Sequence, residues 1–287
     1  MSALPLTAAP ASFPVPPLAL PGGLTLPTGR TAIMGILNVT PDSFSDGGRY
    51  TDVAAALGHA RQMVAAGADL IDVGGESTRP NSTRISADEE WGRICTIVEA
   101  LATDGVIVSV DTLHASTARE AACAGAAIIN DVSGGRWDPE MNAAVAESGC
   151  AYVVQHYRAL PGMPGEHFDY GDDLVGTLME RVGSQVQDAI DAGVTPDKIV
   201  IDPGLGFSLT GDQCWQILRE LPRFLQGGYP VLVGASRKRF VKALEGDVDA
   251  NSADIAAYCA AAGAWAVRVH DVAATAAAIA RKENDVD

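Results

Sequence analysis

The sequence lacks a hydrophobic run of the length that a membrane span needs. A spanning helix takes about 20 apolar residues, and no stretch of this chain reaches ~18. Basic residues are also scarce, since 20 Lys and Arg stand against 36 Asp and Glu and give a net charge of −16. This balance disfavours nucleic acid or an anionic membrane surface as the main partner. An anionic substrate would need a local cluster of cations.

Cysteine is infrequent and shows no pairing pattern. The five cysteines are odd in number and form no C-x-x-C pair, which is typical of reduced thiols in a cytosolic protein and not of a disulfide framework or zinc site. The Ala- and Pro-rich residues 1–21 lack the basic start of a signal peptide. We therefore expect a flexible leader over 1–21, a single domain over 22–287 and a cytoplasmic location.

The remainder of the chain repeats a short apolar run, a polar turn and a helical pattern. The predicted strands cover 33–37, 69–73, 106–110, 126–129, 151–154, 198–201, 231–233 and 266–270. The predicted helices cover 52–66, 88–102, 116–124, 139–148, 173–192, 213–225, 253–263 and 272–282. Eight such units favour an α/β fold of the closed (β/α)8 TIM-barrel type. An open doubly wound sheet would usually carry a Gly-rich dinucleotide motif after its first strand, which is absent. Residues 24–31 are expected to form a short hairpin at one end of the fold.

Polar residues follow every predicted strand. The first apolar run leads directly into the polar, Gly-rich loop NVTPDSFSDGG. The full set comprises Asn38, Gly75 to Pro80, Asp111, Asn130, His156, Asp202, Ser236 to Lys238, Arg268 and His270. In a barrel all these strand ends meet on the face that carries the active site. Taken singly, Asp111 and Asp131 could instead cap helices, and His156 could be a core residue. Arg237 and Arg239 could simply be solvated.

The residue types at these strand ends indicate the chemistry of the ligand that would bind there. Asp111, Asn130 and Asp202 supply acceptors and an amide that suit a flat heterocycle with several N–H groups. Lys238 could donate to a carbonyl of that heterocycle or, alternatively, form a Schiff base. Cations suited to a phosphate-bearing tail are also present, namely Arg79, Arg268 and His270.

Seven segments, in chain order, resemble the dihydropteroate synthase family. They read MGILNVTPDSFSDGG, DLIDVGGESTRP, VSVDT, INDVSGG, IDPGLGF, VGASRKRF and RVHDV, and they span residues 34–272. The resemblance implies a (β/α)8 transferase of tetrahydrofolate biosynthesis. Such an enzyme joins 6-hydroxymethyl-7,8-dihydropterin diphosphate to para-aminobenzoate, by ionisation of the pterin–CH2–O bond and capture by the amine. It also implies bound Mg²⁺, a homodimer and inhibition by sulfonamides.

The resemblance assigns roles at the matching positions. The pterin contacts are Asp111, Asn130, Asp202 and Lys238. The diphosphate contacts are Thr78, Arg268, His270 and Asn38, of which Asn38 also binds magnesium. The aminobenzoate contacts are Phe44, Pro80, Phe207 and Ser236. Asp46 lies where the family places a carboxylate near the developing positive charge. The resemblance thus implies a catalytic set of Asp46, Lys238 and Arg268.

The chain departs from the family pattern after the sixth strand. Leu209 stands where the family usually has lysine, and Gln213 and Cys214 stand where a His-Asn pair is common. Two rival functions therefore stay open. A pterin-dependent methyltransferase would share the barrel and the pterin pocket but should lack the SFSDGG and SRK segments, and both are present. A paralogue that binds pterin without catalysis is the other alternative.

Overall fold

The computed structural model describes residues 5–6, 12–39, 49–76 and 83–284. Eight parallel strands form one sheet in the order β6-β5-β4-β3-β2-β1-β8-β7. Their bounds are β1 Ala32–Asn38, β2 Leu70–Gly74, β3 Val108–Asp111, β4 Ile128–Asp131, β5 Ala151–Gln155, β6 Ile199–Asp202, β7 Leu232–Val233 and β8 Ala266–Val269. A parallel bridge between Ile201 and Val231 joins the two ends of that order. The strands thus close into a barrel, which confirms the predicted (β/α)8 fold.

Helices connect the strands and cover the outside of the barrel. In the described part they are α1 Arg49–Ala65, α2 Ala87–Thr103, α3 Ala115–Cys123, α4 Met141–Ser148, α5 Leu174–Asp191, α6 Gly211–Arg219, α7 Leu221–Leu225, α8 Arg239–Lys242, α9 Val248–Ala262 and α10 Val272–Asn284. The predicted helix over 213–225 is divided at Glu220, because Pro222 cannot continue the hydrogen-bond ladder of α6. Helix α9 begins earlier than predicted, since Asp247 caps the backbone N–H groups of Asp249 and Ala250.

Side chains inside the barrel form an apolar layer below a polar one. Successive strand residues point to opposite faces, so residues two apart share a face. The lower interior positions are apolar and fully or almost fully buried, and they include Met34, Leu70, Ile128, Val153, Val200, Leu232 and Ala266. Two residues further along the same strands stand Ile36, Asp72, Asn130, Gln155, Asp202, Gly234 and Arg268. The strand period therefore places Asn130, Asp202 and Arg268 of the predicted set in one layer at the carboxyl end, together with Asp72 and Gln155.

The chain before β1 crosses the amino end of the barrel. Val15, Leu18 and Leu20 pack against the lower apolar layer. The Phe13 backbone N–H donates to the Ala262 carbonyl at 3.0 Å. A Cβ at Gly263 would lie 2.1 Å from the Phe13 carbonyl oxygen, so this approach requires glycine. The described residues of the predicted leader are thus in contact with the barrel, while the division into a leader and one domain stays a prediction.

The hairpin predicted over residues 24–31 is wrong. The structure describes all of these residues and assigns none of them to a strand. Pro27 lacks the backbone N–H that a hairpin ladder would use, and Leu26 packs against the lower apolar layer instead. Apolar contact with the barrel therefore replaces local strand pairing at this point.

Disulfides are absent from the described part of the chain. Cys150, Cys214 and Cys259 are buried as free thiols, and Cys95 and Cys123 are free and more accessible. No helix in the described ranges has both the length and the apolar character to cross a membrane.

The contact of the leader with the barrel predicts that substitutions at two of its neighbouring leucines change stability by different amounts. Leu18→Asp should lower the free energy of unfolding by about 2 kcal/mol, because it places a carboxylate against the apolar layer. Leu24→Asp is the matched control, since Leu24 is 40% exposed, and it should change stability by less than about 0.5 kcal/mol. Urea unfolding of both variants checks this. Equal stability of the two would mean that the segment does not contact the barrel in solution.

Candidate active site

A cavity of about 940 Å³ opens above the polar layer. Its volume falls in the range of small-molecule sites, about 300–1,000 Å³. The predicted site residues that line it are Asn38, Asp111, Asn130, Asp202, Phe207, Ser236, Lys238, Arg268 and His270. The closed barrel thus brings together every predicted site residue that the structure describes. Phe44, Asp46, Thr78, Arg79 and Pro80 lie outside the described residues.

Asp72 is the centre of the polar layer. Its side chain is completely buried and accepts three hydrogen bonds. The donors are Ser109 Oγ at 2.6 Å, Asn130 Nδ2 at 3.1 Å and Arg268 Nε at 2.5 Å. Because each donor comes from a different strand, the carboxylate fixes three parts of the barrel mouth relative to one another.

Arg268 lies between two carboxylates. Its Nη2 donates to Asp111 Oδ2 at 2.7 Å, while its Nε is held by Asp72. Burial lowers the pKa of Arg268, but Asp72 and Asp111 more than offset this, so the guanidinium stays charged. Burial raises the pKa of Asp111 to about 7, although Arg268 acts in the opposite direction. Arg268 therefore presents a fixed positive charge to the cavity.

Asp202 and Lys238 form a second charged group on the cavity floor. Asp202 accepts a hydrogen bond from the Gly204 backbone N–H at 2.7 Å, and burial raises its pKa while Lys238 lowers it. Lys238 donates to the Leu205 carbonyl and its Nζ lies 4.7 Å from the centroid of the Phe207 ring. Burial lowers the pKa of Lys238 to about 8. These contacts favour Lys238 as a hydrogen-bond donor to a bound ligand.

Ser236 and His270 form the third polar group, on the side of β8. Ser236 Oγ lies 2.9 Å from His270 Nδ1 and accepts a hydrogen bond from the His270 backbone N–H at 3.2 Å. Asn38 ends β1, and its neighbour in the sheet register is Gly74. Gly74 lies between Asn38 and Asp111, because a Cβ built there would be 3.5 Å from the Asp111 Cβ and 3.9 Å from the Asn38 Oδ1.

Asp131 and His156, for which the sequence leaves a structural role open, both have structural roles. Asp131 accepts from the backbone N–H groups of Ser133 and Gly135, so it organises a turn and is not a cavity residue. His156 is completely buried and packs against Tyr170 at 5.6 Å between ring centroids. Burial lowers the pKa of His156 to about 3, and neither ring nitrogen has a hydrogen-bond partner among the residues that the structure describes. It is therefore a core histidine.

Two site residues, Asp72 and Gln155, are absent from the set predicted from the sequence, and a third, Glu76, belongs to it only as part of the range Gly75 to Pro80. Asp72 was overlooked as a site residue because it lies within an apolar run, yet a carboxylate inside a buried strand was itself a signal. Glu76 lines the cavity and accepts from the Ile85 backbone N–H at 3.0 Å. Gln155 lines the cavity and donates to the Val132 carbonyl at 3.1 Å. Glu76 lies in a polar turn and Gln155 ends β5, and neither has a sequence pattern that indicates a contact with a ligand.

The residues that depart from the family pattern lie together on one wall. Leu209 and Cys214 are buried and line the cavity. Gln213 forms a capping box with Thr210 at the start of α6. Its Nε2 also donates to the Phe168 carbonyl at 2.8 Å, which ties α6 to the loop before α5. This wall therefore has its own set of contacts in this chain.

Comparisons with known proteins place the chain among pterin-binding enzymes. A family model described as "Pterin binding enzyme" matches residues 34–270. The dihydropteroate synthase of Mycobacterium leprae is 46% identical over 258 residues, which cover 86% of this chain and 90% of the relative. A structure of the Xanthomonas albilineans dihydropteroate synthase with 4-aminobenzoic acid has a TM-score of 0.83 at 39% identity, over 92% of this chain and 95% of that one. A Yersinia pestis dihydropteroate synthase with a sulfonamide drug complex has a TM-score of 0.84 at 38% identity, over 94% and 98%.

The contacts of Asp72 predict a large loss of stability when its charge is removed. Asp72→Asn keeps the shape but removes a buried charge that accepts three hydrogen bonds and leaves the partly buried Arg268 with one carboxylate, so the free energy of unfolding should fall by about 3 kcal/mol. Asp69→Asn is the matched control on the same stretch of chain. Asp69 also pairs with an arginine, Arg30, but that partner is 48% exposed, so the loss should be about 1 kcal/mol or less. Equal losses in urea unfolding would contradict a central role for Asp72.

Proposed function

The chain belongs to the dihydropteroate synthase family of pterin-binding enzymes, and we propose that it makes 7,8-dihydropteroate for tetrahydrofolate biosynthesis. Its substrates are 6-hydroxymethyl-7,8-dihydropterin diphosphate and para-aminobenzoate, and the second product is pyrophosphate. The observation that carries this proposal is the polar layer itself. Two carboxylates, an amide, a lysine and an arginine converge on the floor of one cavity, and they complement both a pterin and a diphosphate.

The pterin lies on the carboxylate side of the floor. Asp111 and Asp202 accept hydrogen bonds from ring N–H and amine groups, while Asn130 can both donate and accept. Lys238 donates to the ring carbonyl. A site built from buried polar groups rejects analogues that lack the matching groups, because its own donors and acceptors would then be left without partners.

The diphosphate lies on the cationic side of the site. Arg268 presents a charge that Asp72 and Asp111 hold in place, and His270 lies next to it at the end of β8. Thr78 and Arg79 are proposed to complete this side from outside the described residues. Since the whole chain carries a net charge of −16, these local cations account for attraction of an anionic substrate.

The residues present fit a Mg²⁺ ion that binds together with the substrate. Magnesium prefers oxygen ligands and commonly takes one or two from the protein and others from substrate phosphates. Asn38 offers an amide oxygen on the cavity wall. The described residues contain no cluster of three or more His, Cys, Asp or Glu that could hold an ion alone. Asn38 would therefore hold the ion jointly with the diphosphate, where it would offset negative charge on the leaving group.

The reaction needs no covalent intermediate with the protein. The bond between the pterin methylene and the diphosphate oxygen breaks, and the diphosphate leaves with the electron pair. Positive charge on the methylene spreads into the pterin ring, the amine of para-aminobenzoate forms the new C–N bond, and that nitrogen releases a proton. Arg268 and His270 stabilise the departing negative charge. Asp46, outside the described residues, is proposed to stand near the positive charge.

The second substrate is proposed to lie against Phe207 and Ser236, with Phe44 and Pro80 completing its pocket. Sulfonamides resemble para-aminobenzoate in shape, so they should compete for this pocket. We also propose that the enzyme is a homodimer in the cytoplasm, where its free thiols suit a reducing compartment. These proposals rest on the family resemblance and on the free cysteines.

The proposed activity is tested by pyrophosphate release from the dihydropterin diphosphate with Mg²⁺. Release should depend on para-aminobenzoate and should yield dihydropteroate in equal amount. Asp202→Asn should weaken dihydropterin binding by about 2–4 kcal/mol, because it removes a buried charged acceptor. A pterin-dependent methyltransferase or a non-catalytic pterin binder would give no coupled product, and unchanged affinity in Asp202→Asn would remove that residue from the site.

The pKa values on the cavity floor predict an affinity maximum between about pH 7 and pH 8. Asp111, with a pKa of about 7, is protonated below that pH and ceases to be a charged acceptor. Lys238, with a pKa of about 8, loses its charge above that pH. Affinity should therefore fall in both directions. Calorimetry with 6-hydroxymethyl-7,8-dihydropterin, which lacks phosphate, keeps the titration of the diphosphate out of the result. Asp111→Asn should remove the acid limb only, and constant affinity from pH 5.5 to 9.5 would contradict the assignment.

A further inference from the structure

Glu76 places a carboxylate in the same cavity as the proposed diphosphate site. It follows β2 by two residues and lines the cavity, and its side chain is only 5% exposed. A carboxylate at this place would repel an anionic substrate unless opposite charges lie close to it. The contacts of Glu76 therefore determine its effect on the site.

Glu76 connects the two flanks of one segment of the chain. Its Oε1 accepts a hydrogen bond from the Ile85 backbone N–H at 3.0 Å and lies 3.2 Å from Arg84 Nε. Residues 77–82, which lie outside the described ranges, stand between Glu76 and these two partners in the sequence. Three of the proposed substrate contacts belong to them, namely Thr78, Arg79 and Pro80. One carboxylate thus ties together the two described flanks of that segment.

The flank before Glu76 is also fixed to α2. Arg93 Nη1 donates to the Gly75 carbonyl at 2.9 Å, and Arg93 Nη2 pairs with Glu89 at 2.6 Å. A Cβ at Gly75 would lie 3.0 Å from the Glu90 carbonyl oxygen, so the chain is in close contact with the helix. The position of Glu76 is therefore set by α2 and does not depend on a ligand.

His114 lies on the other side of the Glu76 carboxylate. Its Nε2 is 3.6 Å from Glu76 Oε2, which is the distance of an ion pair and too long for a hydrogen bond. Its backbone N–H donates to Thr112 Oγ1 at 3.1 Å, and α3 begins at the next residue. The ring is thus held between the start of α3 and the Glu76 carboxylate.

The charges of this pair stabilise each other. Glu76 raises the pKa of His114, while burial acts against this. The other carboxylates that face the ring, Glu90 and Asp138, raise that pKa further. Burial would raise the pKa of Glu76, but its neighbouring cations and the Ile85 N–H lower it overall. Glu76 therefore stays ionised, and the cations beside it balance its charge.

A second buried carboxylate links this pair to the pterin floor. Glu90 is completely buried and accepts a hydrogen bond from Thr112 Oγ1 at 2.6 Å. Burial raises the pKa of Glu90, although the Thr112 hydroxyl acts in the opposite direction. Thr112 directly follows Asp111, a proposed pterin contact. One set of contacts thus extends from the pterin floor to Glu76.

We propose that Glu76 and His114 are positioning residues for the diphosphate side of the site. The inference rests on the proposed function and deepens it. Glu76 holds together the flanks of residues 77–82. Protonated His114 keeps Glu76 in place and balances its charge, so that the anionic substrate is not repelled. Neither residue takes part in bond formation. The pterin itself binds to the floor, so its affinity does not depend on this pair.

Calorimetry with the two halves of the substrate tests Glu76. The halves are inorganic pyrophosphate with Mg²⁺ and 6-hydroxymethyl-7,8-dihydropterin, which lacks phosphate. Glu76→Gln keeps the shape but removes the charge that holds Arg84 and His114. Pyrophosphate affinity should therefore fall by about tenfold, and dihydropterin affinity by less than about twofold. Glu147→Gln is the matched control and should change neither affinity, since Glu147 pairs with Arg119 at 3.4 Å but is 68% exposed on α4.

Titration of His114 supplies a second measurement. Its pKa lies above its ordinary value of about 6.5, so its charge is present below that pH and is lost as the pH rises through the raised pKa. His114→Lys keeps a positive charge up to about pH 9. It should therefore bind pyrophosphate as tightly as the wild type at about pH 6, and about fivefold more tightly at about pH 9. The ratio of the two affinities at each pH removes the titration of pyrophosphate itself.

A neutral side chain at the same position should show the opposite pH dependence. His114→Gln should bind pyrophosphate about fivefold more weakly than the wild type at about pH 6. At about pH 9 the two proteins should bind it equally, since both then lack the charge. His59→Gln on α1 is the matched control, because His59 does not line the cavity, and it should have wild-type affinity at both pH values.

Three results would overturn the inference. One is unchanged pyrophosphate affinity in Glu76→Gln, and another is an equal loss of pyrophosphate and dihydropterin affinity, which would indicate a general structural effect. The third is a ratio of His114→Lys to wild-type affinity that does not change with pH, and this measurement remains if Glu76→Gln does not fold. None of these measurements uses turnover. If the protein forms no dihydropteroate, the proposed function fails, while the two affinities still decide the positioning role.

Discussion

The ion pair between the completely buried Asp72 and the partly buried Arg268 is the interaction on which the site depends. The two residues are 196 positions apart in the chain, on β2 and β8, and β1 lies between those strands in the sheet. They meet only because the barrel closes. A buried charge without its partner is strongly destabilising, so closure of the barrel and assembly of the charged layer are coupled. The same pair holds the guanidinium where it faces the cavity.

The barrel interior has two layers: an apolar layer that stabilises the fold and a polar layer that lines the cavity. The lower layer is apolar and packed, and residues 12–20 cover part of it from below. The upper layer uses the next inward position of the same strands, where Asp72, Asn130 and Asp202 stand. Buried polar groups cost free energy unless they are paired. Here Asn130 donates to Asp72, and the Gly204 backbone N–H donates to Asp202, so the three are held before a ligand arrives.

One wall of the cavity, at the start of α6, is held by its own contacts. Gln213 caps α6 and also fixes the loop that carries Phe168. Leu209 and Cys214 join the apolar surface behind them. Within the described residues, Leu209, Gln213 and Cys214 form no hydrogen bond or ion pair with Asp111 or Asp202, and Gln213 contacts Thr210 and Phe168 instead. The wall and the floor are therefore positioned by separate contacts.

The sequence by itself determined the fold class and most of the floor of the site. Alternation of apolar runs and helices is a local pattern, and a strand end such as Asp111 or Asp202 is visible without knowledge of its neighbours. The tertiary structure decided which partner each polar side chain contacts. It made Asp72 a centre of contacts although it lies in an apolar run, and it made Asp131 a turn residue although it also follows a strand. It also replaced the expected hairpin at 24–31 by packing against the barrel. Local periodicity specifies which face a side chain occupies, but only the closed barrel specifies its partner.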